Sequence, residues 1–442
     1  MKVSVTKRLL SSIRGESLTA RLLQGALGAG GLKLLSLPLI LVTSIVLARG
    51  LGPAGYGQYS FVMAAISMLA LPIGSGLGQL VTREVAKYRH GEDWGLFRGL
   101  LHRSHQWIIL GSTVIIVMIL LVGLPNATGA TEDRWTLLTL GALLLPLLGL
   151  NALRSATLRG LRKVVYAQLP EMLVRPGLHF FVVSGLLAFD MLNPATSLIS
   201  QIVATAFALV LGAWLLSKMK PAELGQALPH YRTIEWGSAL VSFTLLAAVA
   251  TLNGQLGILT LGWLGTNEDV AALKVAMSGA MLVTFSLTIV NMVIGPHITR
   301  AHRQNDMRLL QRLSRQSARG ALAVGLPFAA LLIFFGGPIL QLLYGDVYRN
   351  SATLPLAILA FGQLINVAFG SVGLFLTMCG YERDTLAGQI IALTANAVAA
   401  VILIPLLGAV GAALSVVVCL TVWNVVLAIR FVQRFGFRPS AF

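Results

Sequence analysis

The sequence predicts an all-α membrane protein with about twelve transmembrane helices arranged in two six-helix lobes. Composition gives the first indication: 56% of the 442 residues are hydrophobic and only 11% are charged. A soluble domain carries about 25% charged residues, so this composition excludes an ordinary soluble enzyme and a disordered chain. The two cysteines, Cys379 and Cys419, are too few for a disulfide framework.

The second indication is the length of the apolar runs, which are each long enough to cross roughly 30 Å of hydrocarbon as a helix. These runs are continuously apolar rather than alternating, which excludes a transmembrane β-barrel. Only a short turn around Gly408 separates the last two. The predicted spans are 27–48, 57–80, 105–125, 135–155, 166–189, 195–217, 238–263, 270–295, 320–343, 352–378, 387–407 and 409–431.

The chain divides near its middle into halves that resemble each other. Val81-Thr82-Arg83 closes the second span and Ile298-Thr299-Arg300 closes the eighth. Such matches predict parallel repeats about an axis along the membrane normal, which is typical of transporters. The predicted parts are a basic cytoplasmic tail at 1–24, an N-terminal lobe at 25–217, a cytoplasmic linker at 218–237 and a C-terminal lobe at 238–442. The tail suits either a basic amphipathic helix on the membrane surface or a frayed end.

The net charge of +17 is distributed by membrane side rather than gathered on one face. Most Lys and Arg residues fall in the tails and in alternate loops, whereas the opposite loops hold only Arg49, Arg134 and Arg349. Cytoplasmic loops of membrane proteins carry such an excess. Both termini are therefore expected on the cytoplasmic side, and nucleic acid is not an expected partner.

Four charged residues inside the spans are the first candidate binding residues: Arg175, Lys33, Lys274 and Glu171. A basic side chain at the centre of a membrane helix costs about 2.5–3.5 kcal/mol, so it tends to face a partner or a cavity. Arg175 lies near the midplane, and an ion pair with Glu171 one turn earlier is the structural alternative to an anion site. Lys33 and Lys274 lie nearer the ends of their spans and have the alternative of extending to the membrane surface. If all four faced one chamber, its surplus positive charge would attract a pyrophosphate or another anion.

A further set of arginines lies at cytoplasmic helix ends, where it could contact an anionic lipid headgroup or merely reflect the orientation of the chain. This set comprises Arg83, Arg300 and Arg159. Neither a metal site nor a catalytic residue is predicted. Residues 50–55 match G-x-G-x-x-G, but they follow a membrane helix rather than a strand, so a nucleotide site is not expected. Very short outer loops leave no room for the acceptor site of a membrane polymerase or ligase, and we expect no enzyme.

Several short motifs resemble those of Wzx-type polysaccharide flippases, which belong to the multidrug/oligosaccharidyl-lipid/polysaccharide exporter superfamily. The resemblance covers most of residues 20–435, and the order and spacing of the motifs agree. The motifs that carry the resemblance are Ala48-Arg49-Gly50-Leu51-Gly52-Pro53-Ala54-Gly55-Tyr56-Gly57-Gln58-Tyr59, Leu158-Arg159-Gly160, Gln168-Leu169-Pro170-Glu171, Arg175-Pro176, Asn291 with Pro296, Phe335-Gly336, Leu343-Tyr344-Gly345 and Gly380-Tyr381-Glu382-Arg383.

The resemblance implies a MATE-like fold and a flippase of the bacterial inner membrane. Its substrate would be an undecaprenyl-pyrophosphate-linked oligosaccharide used for O-antigen, capsule or exopolysaccharide, and polysaccharide polymerase or assembly proteins would be its partners. In this family two lobes rock about a central, often cationic cavity, and the helices that hold Lys33 and Lys274 border its lateral openings. A proton or sodium gradient is the usual proposed drive, with no bound cofactor. An acid paired with Arg175 is a poor proton carrier, so the coupling ion stays open.

Two other functions within the same superfamily compete with this interpretation. A drug/cation antiporter would favour a cavity with surplus acid, whereas the spans of this chain carry surplus base. A lipid II flippase often has two further helices, which this sequence does not show.

Overall fold

The computed structural model describes residues 18–126 and 132–439, and within these ranges every regular element is a helix. The elements of the first half are α1 (Leu18–Leu69), α2 (Gly76–Gly91), α3 (Trp94–Asn126), α4 (Glu132–Ala142), α5 (Leu144–Gly160), α6 (Val164–Leu169), α7 (Arg175–Ala188), α8 (Pro194–Met219) and α9 (Glu223–Gln226). Those of the second half are α10 (Thr233–Leu264), α11 (Asn267–Arg303), α12 (Met307–Tyr344), α13 (Asp346–Phe369), α14 (Val372–Met378) and α15 (Glu382–Phe435).

Ten stretches of the described chain are long and apolar enough to cross a membrane. The two longest helices each contain one residue that leaves the helical conformation, Gly52 in α1 (φ 65°) and Gly408 in α15 (φ 54°). Positive φ is open to glycine at little cost, so both positions permit a sharp change of direction. The predicted turn at Gly408 is therefore present. Dividing α1 and α15 at these glycines confirms the expectation of about twelve spans in an all-α membrane protein.

Two π-helical turns interrupt the α-helices, Leu71–Ser75 before α2 and Pro170–Val174 between α6 and α7. Each has a proline in its first two positions, and a proline cannot donate the hydrogen bond that would continue an α-helix. In the second turn the amide of Arg175 donates to the carbonyl of Pro170. The wide turn therefore begins at Pro170, ahead of Pro176.

The chain divides into two compact units, of which the first contains the described residues up to Thr43, Leu69–Asp190 and Leu198–Leu245. In this unit α2 packs closely against α5, and the interior is formed by side chains such as Leu80, Val81 and Leu158. Gly76 lies so close to α10 that a Cβ at this position would be only 2.5 Å from the amide nitrogen of Thr244. Helix contacts this close need small residues.

The second unit contains Ser44–Met68, Met191–Ser197 and Leu246–Phe442. The C-terminal part of α1 belongs to it, and there the Tyr348 hydroxyl donates to the Ala48 carbonyl at 3.3 Å. Asp269 in the first turn of α11 forms a capping box with Thr266, and the Ala409 amide donates to the same carboxylate at 3.4 Å beside the Gly408 break. A buried cluster around Phe375 and Phe431 forms part of the interior of this unit. These units do not follow the predicted boundaries at 25–217 and 238–442, which stay a prediction.

Large apolar side chains cover much of the described surface, as a hydrocarbon environment requires. Phe181 is 71% exposed, Phe334 78% and Leu406 74%. Of the predicted basic tail, residues 1–17 lie outside the described residues. The structure contains no bilayer, so the cytoplasmic placement of both termini also stays a prediction.

Candidate functional site

Glu171 lies at the centre of a charged group in the first unit. It occupies the π-helical turn between α6 and α7, where its carboxylate is one-quarter exposed. Arg175 Nε lies 3.9 Å from Glu171 Oε2, which is the predicted ion pair between i and i+4. Arg154 Nη2 approaches the other carboxylate oxygen, Oε1, at 3.5 Å. Two guanidinium groups therefore share one carboxylate, and positive charge is in excess.

Arg154 is the functional candidate that the sequence reasoning missed. Arg154 lies in the last turn of the predicted fourth span, 135–155, and the sequence reasoning assigns it to the basic cytoplasmic loop that follows. Helix α5 instead continues to Gly160 and buries Arg154, whose side chain is 4% exposed. Its Nη2 also donates to Asn151 Oδ1 at 3.0 Å. The polar pair Asn151 and Arg154 at spacing i and i+3 is the signal that could have identified it.

A glycine makes room for this buried guanidinium. Gly212 of α8 lies against Arg154, and a Cβ at that position would overlap Nη1, Cζ and Nε. Nε and Nη1 are fully buried and have no hydrogen-bond partner within the described residues. The same helix also contributes the Thr205 carbonyl, which accepts from Asn151 Nδ2 at 3.2 Å. Arg154 is thus held between α5, α8 and the π turn.

A second feature of the same unit is a cavity of about 560 Å³ that two predicted residues line together. Arg83 at the end of α2 and Arg159 of α5 both face it, and no carboxylate is among its lining residues. Arg159 Nη1 donates to Ser155 Oγ at 2.9 Å, and its Nη2 lies near Gly78. The remaining lining residues are Ser75, Gly78, Gln79, Thr82 and Phe243. The cavity, hereafter the Arg83/Arg159 cavity, offers two guanidinium groups, hydroxyl and amide groups, and an aromatic ring.

Arg83 is fixed on two sides. Its Nη2 lies 2.8 Å from the buried carboxylate of Glu84, and its guanidinium stacks over the Phe243 ring at 5.1 Å. The next turn of α2 places Tyr88 against α10, where Trp236 Nε1 donates to the Tyr88 hydroxyl at 2.9 Å. Burial raises the pKa of this hydroxyl to about 12, although the bond from Trp236 opposes the shift. Tyr88 therefore remains neutral at physiological pH.

The other predicted residues are Lys33 in the first unit and Lys274 and Arg300 in the second. Lys33 is exposed on α1 in the first unit, and Arg300 is exposed near the end of α11 in the second. Lys274 is about two turns into α11, deeper than its predicted position near the end of a span, and it is half-buried. The structure therefore brings together Arg175 with Glu171, and Arg83 with Arg159. Within the described part of the chain, no three His, Cys, Asp or Glu residues are close enough to hold a metal ion.

The described residues contain ten apolar helices of membrane-spanning length, two compact units and buried charges in the first unit, which together define a multi-pass membrane protein of transporter type. Comparison with known sequences then places it more narrowly. The chain belongs to the family of polysaccharide biosynthesis proteins, whose sequence model matches residues 22–302. The MatE family model matches residues 245–406. No curated protein sequence matches the chain.

Several solved transporter structures share the fold. An inward-facing multidrug resistance MATE family transporter of the MOP superfamily matches with a TM-score of 0.74 and 14% identity, over 90% of this chain and 94% of its own. The lipid II flippase MurJ in an inward closed conformation matches with a TM-score of 0.73 and 12% identity, over 92% and 89%. A MOP superfamily transporter from Pyrococcus furiosus matches with a TM-score of 0.64 and 16% identity, over 96% and 97%. The predicted MATE-like fold and the predicted relation to polysaccharide biosynthesis proteins are confirmed.

Proposed function

We propose that the chain is a flippase for undecaprenyl-pyrophosphate-linked oligosaccharide, which it moves from the cytoplasmic to the outer leaflet of a bacterial inner membrane. The transport would follow alternating access, and no bond would be made or broken, so the chain would not be an enzyme. The observation that carries this proposal is the Arg83/Arg159 cavity, which has two arginines and no lining carboxylate.

The chemistry of this cavity suits the pyrophosphate and its first sugar. Guanidinium groups bind phosphate oxygens through paired charge-assisted hydrogen bonds. Gln79 and Thr82 add hydrogen-bonding groups of the kind a sugar needs, and Phe243 adds a ring face. A volume of about 560 Å³ falls in the range of small-molecule sites, about 300–1,000 Å³. The oligosaccharide beyond the first residues would extend outside this cavity.

Arg175 and Glu171 have separate roles in the proposal. Arg175 contacts the anionic headgroup during transport, and Glu171 sets its position through the 3.9 Å ion pair. Lys33, Lys274 and Arg300 are proposed as additional headgroup contacts along the route, each on the strength of its position in the sequence. The surplus of positive charge around Glu171 supports an anionic substrate, because Arg154 and Arg175 share this one carboxylate.

Family and fold agree with the proposal at a coarser level. Membership of the polysaccharide biosynthesis family supports a polysaccharide precursor, and the similar fold of a lipid II flippase supports a lipid-linked one. Partners would then include membrane lipid and the polymerase or assembly proteins that use the flipped precursor. The MatE match and the multidrug transporter fold favour a drug/cation antiporter as the second candidate. The same features leave a lipid II flippase as a third. A proton or sodium gradient is the proposed energy source.

The test is lipid analysis of a strain that lacks this protein, together with a strain in which the intact chain is restored. Accumulation of an undecaprenyl-pyrophosphate oligosaccharide in the inner leaflet, with loss of surface polysaccharide, would support the proposal and identify the sugar. Unchanged lipid-linked pools with new sensitivity to cationic drugs would favour the antiporter. Accumulation of lipid II with arrested wall growth would favour the third candidate.

A further inference from the structure

A second basic cavity lies in the first unit, between α3, α5, α8 and the short helix α9. Its volume is about 400 Å³, and none of the residues that line the Arg83/Arg159 cavity lines it. Five of its lining side chains are basic or imidazole groups, and none is a carboxylate: Arg98, His102, His105, Arg154 and Lys220. A cavity of this composition attracts an anion.

Arg98 is held in place at the edge of this cavity by the end of α9 and the residue that follows it. Its Nη1 donates to the Gly225 carbonyl at 3.0 Å and to the Ala227 carbonyl at 2.8 Å. These bonds occupy one nitrogen of the guanidinium and fix its plane. Because the side chain is already ordered, little conformational freedom is lost when an anion binds.

Arg154 supplies a buried positive charge at the inner end of the cavity. One nitrogen of its guanidinium, Nη2, contacts Asn151 and Glu171. The side chain is 96% buried, and the Glu171 carboxylate that it approaches is shared with Arg175. Positive charge is therefore in excess at this end, and a bound anion would balance it.

The walls of the cavity are apolar, and they define the class of ligand. Leucines of three helices form them: Leu101, Leu150, Leu153, Leu209 and Leu216. A free phosphate ion buries no apolar surface against these side chains, whereas the first methylenes of a lipid's acyl chains would be buried favourably. Basic pockets between membrane helices on the cytoplasmic side bind anionic lipid headgroups in this way.

We propose that the cavity between α3, α5, α8 and α9 binds the phosphate of an anionic phospholipid. The acyl chains lie along the leucine walls, and the phosphate lies between the buried charge of Arg154 and the exposed Lys220 at the rim. The lipid is a bound structural ligand of the first unit, distinct from the transported substrate. This inference does not depend on the proposed function.

The test uses native mass spectrometry of the detergent-solubilised full chain, titrated with dioleoyl-phosphatidylglycerol, dioleoyl-phosphatidylcholine or inorganic phosphate. The variant is Lys220→Gln, which removes an exposed cation from the rim. Its matched control is Lys218→Gln, since Lys218 is exposed two residues earlier in the last turn of α8, stacks on Trp214 at 4.4 Å and does not line the cavity. A second variant, Ala213→Leu, fills part of the cavity without any change of charge.

We expect the phosphatidylglycerol to bind more tightly than phosphatidylcholine, and inorganic phosphate at equal concentration not to compete. Lys220→Gln should weaken phosphatidylglycerol binding about fivefold, as expected for loss of one cation beside an anionic lipid. Ala213→Leu should weaken it as well, and Lys218→Gln should not. Equal binding of both lipids, equal effects of the two lysine variants, or competition by inorganic phosphate would each overturn the proposal.

Discussion

Replacement of Gly212 by Ala tests whether the Arg154 guanidinium occupies the position described. A Cβ at residue 212 overlaps the guanidinium, so Arg154 must move. The end of an arginine is flexible, but here a movement breaks the bond to Asn151 and the contact with Glu171. A hydrogen bond to a charged group contributes about 1.5–3 kcal/mol. We therefore expect Gly212→Ala to lower the free energy of unfolding by about 2–3 kcal/mol.

The same geometry predicts coupling between the two positions. In an Arg154→Met background the guanidinium is absent, so the added methyl group has space and its cost should fall below about 0.5 kcal/mol. The resulting coupling energy of about 2 kcal/mol lies within the range for residues in contact. Arg154→Met itself leaves Glu171 paired with Arg175. The assay is reversible unfolding in mixed micelles of dodecyl maltoside and sodium dodecyl sulfate, followed by circular dichroism.

Gly185→Ala in α7 is the matched control, because nothing lies within 4 Å of a Cβ at that position. It should leave stability unchanged or raise it by up to about 1 kcal/mol, through helix propensity. The reasoning would be refuted if Gly212→Ala were as mild as this control. A cost of Gly212→Ala that stayed the same in the Arg154→Met background would refute it equally.

Three further predictions concern the charged groups and Tyr88. Arg175→Ala should abolish transport. The protein should still fold and insert, because Glu171 keeps Arg154 as its partner at 3.5 Å. Normal transport in proteoliposomes would contradict the proposed role of Arg175 in binding the anion. Arg159→Gln should raise the substrate concentration for half-maximal transport about tenfold, since a charged hydrogen bond is lost. Arg162 is exposed and does not line the cavity, so Arg162→Gln should have little effect. Equal effects of the two variants would contradict substrate binding in the Arg83/Arg159 cavity. Because burial raises the Tyr88 pKa to about 12, against about 10 in the unfolded chain, its contribution to stability is complete below pH 10 and is lost as the pH rises to about 12. The difference in phenolate absorbance between the wild type and Tyr88→Phe should therefore have its midpoint near pH 12, and a midpoint near 10 would be inconsistent with burial.

The helices could be predicted from the sequence because a bilayer imposes both their length and their composition. The same constraint explains why the break at Gly408 was predictable: an apolar stretch of more than 40 residues must turn back, and only glycine adopts φ 54° at little cost. The ion pair of Arg175 with Glu171 was also predictable, because it is a matter of spacing along one helix.

The charged group around Arg154 could not be predicted in the same way. Arg154 and Gly212 are on different helices, and no spacing along the chain links a buried guanidinium to the glycine that accommodates it. Its place also depended on where α5 ends, and helix ends are the least certain part of a sequence-based assignment. The meeting of Arg83 and Arg159 in one cavity likewise depends on the packing of α2 against α5.

The π-helical turn at Pro170–Val174 has a consequence for how this gene can vary. Such a turn is equivalent to one residue inserted into an α-helix, and each residue rotates the following helix by about 100°. Deletion of one residue within the turn would leave the span apolar and long enough to cross a membrane. It would nevertheless rotate α7 about its axis, so every side chain of α7 would point in a different direction. In related sequences, the number of residues between Pro170 and Arg175 should therefore be constant, whereas the identities of those residues should vary. A one-residue gap in this segment would identify a protein in which the residue equivalent to Arg175 lies on a different face of the helix.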